Sequence, residues 1–122
     1  MERLWICLGA LAGLSAVAMA AMTAHGLEAI GPARLQMARD AVQMQGWHAL
    51  VLIACGLWAR RGGTLVDWAG AAFVLGLLLF CGGVYALALA GVGVGAIVPA
   101  GGLLLMLGWA LLGVSALRFT KR

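Results

Sequence analysis

The sequence predicts an all-α fold, a membrane four-helix bundle with a short amphipathic interfacial helix between helices 1 and 2. Three observations predict it. Of 122 residues, 65% are hydrophobic and only 10% charged, where a soluble domain carries about 25% charge. Four long runs, at about 4–24, 41–59, 68–90 and 100–117, contain no charge, and such runs point to the bilayer. Between the first two runs the pattern changes to apolar residues at spacings of three and four. Residues 1–122 read as a single integral membrane domain.

The first run, Leu4 to Ala24, would rise about 31 Å as a helix, enough for a hydrocarbon core of about 30 Å. Its charged start and the small residues Ala18 to Ala20 also suit a cleaved signal peptide. A retained helix is the better reading. Gly9, Gly13, Ala16, Ala20 and Thr23 recur at helical spacing and make one shallow groove, with Gly9 and Gly13 as a small-xxx-small pair.

The connection that follows holds Gly31-Pro32, and Pro32 suits a first helical turn. Leu35, Ala38, Ala41 and Val42 then fall on one face, opposite Arg34, Gln36, Arg39, Asp40 and Gln43. This predicts the interfacial helix over about 32–43, bending near Gly46 into the second span. Extended back to Ala41, that span reaches about 28 Å and takes in Gln43, Gln45 and His48.

Asp67 is placed to cap the third span and to offset Arg60 or Arg61. Along that span Ala72, Gly76, Gly83, Ala86 and Ala90 supply small packing positions. In the fourth, Gly101, Gly108 and Ser115 stand seven apart, which suits a left-handed bundle. The connection Gly91 to Gly102 is rich in glycine and contains Pro99. It lacks the Lys and Ser or Thr of a phosphate loop.

The charges suggest an orientation. Four spans place Arg3, Arg60, Arg61, Arg118, Lys121 and Arg122 on one side, and Arg34 and Arg39 on the other. Positive-inside asymmetry then predicts both termini in the cytoplasm. Arg60, Arg61, Arg118, Lys121 and Arg122 would anchor to anionic lipid, and Trp5, Trp47, Trp58 and Trp68 would anchor at the interfaces. Basic residues that merely flank apolar runs leave no face for nucleic acid. Cys7, Cys55 and Cys81 lie within apolar runs as small fillers.

Polar side chains gather toward the non-cytoplasmic half. His25 ends the first span, Gln45 and His48 open the second three residues apart, and Tyr85 lies late in the third. Unsatisfied polar groups are costly in hydrocarbon, so these should face one another or water. The leading reading is a hydrogen-bonded cluster that fixes the bundle. A ligand, ion or proton site is the alternative. No metal is predicted, because two histidines without an HxxH or HxxxH pair fall short of a ligand set. No catalytic residue is predicted either, since Ser15 and Ser115 have no base beside them.

The chain resembles a family of small four-helix membrane proteins, found in bacterial inner membranes and in animals and classed as a domain of unknown function. The marks are "AHG" at Ala24 to Gly26, "AVQMQGWHAL" at Ala41 to Leu50, "FCGGVYALALAG" at Phe80 to Gly91 and "PAGGLLLMLGWALL" at Pro99 to Leu112. The family has tyrosine-glutamine where Met44-Gln45 stands here. Its phenylalanine-serine-glycine-serine run is Phe80-Cys81-Gly82-Gly83, without the hydroxyls. His25, Gln45, His48, Tyr85, Pro99 and Trp109 match family positions. The resemblance implies a multi-pass membrane protein and no established reaction.

The expected function is therefore a structural or interaction role in a membrane, without a cofactor. Its partners would be membrane lipids, with a homo-oligomer or a membrane protein partner meeting the small-residue faces. A small transporter or proton-handling protein and a lipid-modifying enzyme are the rivals.

Overall fold

The computed structural model describes residues 1–119. Four long helices follow one another: α1 (Glu2–His25), α2 (Pro32–Gly62), α3 (Thr64–Ala90) and α4 (Ile97–Phe119). A single 3-10 turn, Glu28–Ile30, lies between α1 and α2. Lys121 and Arg122, read from the sequence as lipid anchors, lie outside the described residues.

Backbone chemistry sets the breaks. Pro32 opens α2, where its missing N–H costs nothing. Gly63 alone separates α2 from α3, with φ 63° and ψ −152°, a region essentially restricted to glycine. Gly91 ends α3 in the left-handed conformation, and its N–H returns to the Leu87 carbonyl at 3.1 Å, the five-to-one bond of an αL cap.

The amphipathic stretch 32–43 is not a separate helix. It forms the first turns of α2, which continues unbroken through Gly46 for 31 residues. No proline follows Pro32 in this helix, and an isolated glycine does not by itself interrupt one. This continuity carries Gln45 about 20 Å into α2.

The helices pack as two antiparallel pairs, α1 with α2 and α3 with α4, joined through α2 and α3. Close approach depends on missing side chains. A Cβ on Gly9 would stand 2.7 Å from the Ala49 carbonyl oxygen, and one on Gly56 2.8 Å from that of Glu2. Across the second pair, Gly76 lies under Leu105, Gly83 under Val98, Gly101 against the Phe80 backbone and Gly108 against the Phe73 ring. Gly13 is looser, with Ala49 Cβ 3.8 Å away. The buried core holds Leu52, Cys55, Val66, Phe73, Leu77 and Leu105, with Trp5 reaching in from α1.

Three polar contacts mark one end of the bundle. Arg60 meets Glu2 at 2.6 Å, the Trp5 indole donates to Asp67 at 2.8 Å, and the Trp58 indole donates to Ser115 at 3.2 Å. The start of α1 and the last turns of α4 therefore share that end. The outward faces are apolar, with Leu14 70%, Val17 71% and Leu103 66% exposed. Glu2–His25, Thr64–Ala90 and Ile97–Arg118 are long and apolar enough to cross a membrane. An apolar exterior over helices of that length is the solution a bilayer requires.

Candidate functional site

Gln45 is the centre of the polar chemistry. It is 8% exposed and bridges three helices. Its Nε2 donates to the Ala12 carbonyl at 2.9 Å and to Ser15 Oγ at 2.6 Å, both on α1. Its Oε1 accepts the Tyr85 hydroxyl of α3 at 2.8 Å. One turn away, the Cys81 thiol donates to the Ala41 carbonyl at 3.5 Å. Ser15 lies near the middle of α1, so the Ser15–Gln45–Tyr85 chain sits at mid-bundle. A second span that begins at Ala41 puts Gln45 near its outer end, whereas in the longer α2 it lies near the middle.

His48 lies one turn further along α2, with its ring turned toward α3 and α4. It packs against Phe73, with ring centres 5.7 Å apart, and edge-on against Trp109, at 5.9 Å. Its Nδ1 stands 2.7 Å from the Met44 carbonyl, and its Nε2 accepts the Trp109 indole N–H at 3.1 Å. A carbonyl only accepts and an indole only donates. These partners select the neutral Nδ1–H tautomer.

His25 joins neither group. It is exposed at the end of α1, about 15 Å along the helix from Ser15. The structure thus brings Gln45 to Tyr85, pairs His48 with Trp109, and leaves His25 apart. No partner for Ser15 is readable from the sequence alone, yet a hydroxyl at mid-span signals that one is needed.

The expected anchors divide. Trp47 and Trp68 are exposed, as are Arg60, Arg61 and Arg118. Trp58 is half-buried beside Ser115. Trp5 is not at a surface. It is 4% exposed and bonded to Asp67, with its ring stacked over Gly70. Asp67 consequently serves the indole, whereas Arg60 finds Glu2. At the opposite end, Arg39 donates to the Thr23 carbonyl at 3.4 Å, and the Arg34 guanidinium lies against Gly91. Both cations sit on helix C-termini, where carbonyls and the dipole favour positive charge.

Two lateral grooves flank these groups. One, about 290 Å³, lies between α1 and α3 over Ser15, Gln45 and Tyr85. The other, about 740 Å³, lies between α2 and α4 beside His48 and Trp109. Among the described residues, no group of three or more His, Cys, Asp or Glu could hold a metal ion.

The family described as "Protein of unknown function (DUF423)" matches the chain over residues 19–102. The chain belongs to the DUF423 family. It is 39% identical to a UPF0382 membrane protein of Staphylococcus haemolyticus over 96% of this chain and 98% of the relative. It is 35% identical, over the same shares, to the UPF0382 membrane protein YwdK of Bacillus subtilis. No solved structure matches the chain. The DUF423 match contains Gln45, His48 and Tyr85 and stops before Trp109, the group that closes the His48 ring on α4.

Proposed function

We propose that this DUF423 protein is a structural or interaction component of the bacterial inner (plasma) membrane, crossing it four times with both termini in the cytoplasm and performing no catalysis. One observation carries the reading. The polar side chains at mid-bundle bond to the bundle itself, and among the described residues no buried side-chain nitrogen or oxygen lacks a partner. Such a network fixes helix against helix.

The rival readings meet specific obstacles. A proton or ion handler needs an available imidazole at the mid-bundle site, where both ring nitrogens of His48 are engaged and His25 does not reach. A lipid-modifying enzyme needs a base beside its nucleophile, and Ser15 has an amide there. The orientation is supported by Arg3, Arg60, Arg61 and Arg118 gathering near the terminal end, against Arg34 and Arg39 at the other. The bacterial location is supported by the organisms of the relatives. Lipid would surround the exposed apolar faces, and a second copy or another membrane protein would meet the groove between α1 and α2 that Gly13, Ala20 and Gly46 line.

Single cysteines in a cysteine-free variant test the topology. Residues 28 and 93 should react with an impermeant thiol reagent outside intact cells, and residues 2 and 118 only after lysis. Gln45→Leu and Trp109→Phe test the role. Function in cells should fall in step with thermal stability, and its loss from a fully stable protein would overturn the reading.

A further inference from the structure

The groove between α1 and α3 has apolar walls, including Leu8, Leu11, Val74 and Leu78, and a polar floor of Ser15, Gln45 and Tyr85. Its volume of about 290 Å³ is several times the share of one water, about 30 Å³. A few placed polar groups among apolar walls are the usual make-up of a small-molecule site.

The hydrogens on the floor can be counted. Both amide hydrogens of Gln45 are taken, by the Ala12 carbonyl and Ser15 Oγ. The Tyr85 hydrogen goes to Gln45 Oε1, and the Ser15 hydrogen goes to the carbonyl of Leu11 or Ala12. What remains on the floor is acceptor capacity: lone pairs on the Tyr85 oxygen and a second one on Gln45 Oε1. An acyl chain would cover the walls and leave those lone pairs facing hydrocarbon. An ammonium would match them at the high cost of a charge in the membrane.

We propose that this groove binds an uncharged, lipid-soluble molecule that donates its hydroxyl hydrogen to the Tyr85 oxygen and lays an apolar chain between α1 and α3. Long-chain alcohols and lipophilic phenols share that chemistry. The proposal rests on the membrane location of the protein, not on the orientation of its termini, and adds a binding role to the structural one. Entry is from the side, past Gly82, which is exposed in the wall and has open space where a side chain would stand.

The test uses the full chain in phospholipid nanodiscs with a diazirine-bearing C16 alcohol. Crosslinks should concentrate on the facing residues of α1 and α3. Hexadecanol should displace the probe, and its methyl ether, which has no hydrogen to donate, should be at least about ten-fold weaker. Tyr85→Phe should narrow that difference to less than about three-fold. Gly82→Leu should fill the groove and abolish labelling with thermal stability unchanged. Lipophilic phenols should compete like hexadecanol. Uniform labelling of all four helices, equal competition by the ether, or labelling that survives Gly82→Leu would each overturn the proposal. The thiol-labelling topology is read separately, so a wrong orientation and an empty groove are distinguishable.

Discussion

Trp109 donates its indole N–H to Nε2 of His48 at 3.1 Å, and this bond, with the Met44 carbonyl 2.7 Å from Nδ1, fixes which nitrogen carries the proton. It is also a polar tie between α2 and α4, which run parallel in the bundle.

Trp109→Phe keeps an aromatic ring beside Phe73 and removes the donor. A hydrogen bond of this kind contributes about 0.6 kcal/mol on average between membrane helices, with a maximum near 1.7. A loss in that range should appear in reversible unfolding in mixed micelles. Nitrogen NMR should show His48 as the Nδ1–H tautomer in the parent protein. A protonated Nε2 there would contradict the assignment.

Gln45→Leu and Tyr85→Phe test the second network. Gln45→Leu strands the Tyr85 hydroxyl, and a stranded buried group costs about 1–3 kcal/mol. Tyr85→Phe removes one bond to the Gln45 oxygen and should cost less. The double variant should therefore be less destabilised than the sum of the two singles. Strict additivity would mean that the two side chains do not interact.

Gly9 and Gly13 look alike in the sequence and should behave differently. A Cβ at Gly9 meets the Ala49 carbonyl oxygen at 2.7 Å and Ile53 at 2.8 Å, whereas one at Gly13 meets only Ala49 Cβ at 3.8 Å. Gly9→Ala should destabilise by about 1–3 kcal/mol through overpacking. Gly13→Ala should be neutral or stabilising by up to about 1 kcal/mol, from helix propensity. Thermal unfolding of the two variants side by side decides this.

Trp5→Phe should cost more than Asp67→Asn. Asparagine can still offer its oxygen to the indole, 2.8 Å away in the parent, whereas phenylalanine leaves the carboxylate without this donor. Indole emission should shift to the red if Trp5 leaves the bundle, so fluorescence and unfolding together check the ranking.

Much of the fold was legible because apolar runs and helices obey the same length constraint. Leu4 to Ala24 lies within α1, and Ala100 to Leu117 within α4. The helices extend past these runs because backbone bonding continues into charged residues such as Glu2 and Arg118. Small residues at Gly76, Gly101 and Gly108 were legible from their spacing. Gly56 and Gly70 were missed, although Gly56 stands seven residues after Ala49 on the face that meets α1.

Rotation and depth were not legible. Trp5 reads equally as an anchor or as a core residue until Asp67 is known to lie beside it. Gln45 and His48 share a face by spacing, yet long side chains leave one helix face toward different neighbours. The depth of Gln45 depended on whether α2 broke at Gly46, and glycine alone does not answer that. Span topology puts His25 in the same membrane half as Gln45 and His48, but a residue at a helix end can reach only what lies at that end.

Gly63 has one further implication, for biogenesis and engineering. A one-residue hinge gives α2 and α3 no slack, so a foreign epitope spliced there would have to pry the hairpin apart. The stretch between Gly91 and Ile97 has exposed residues and no helix to interrupt, making it the natural place for a reporter.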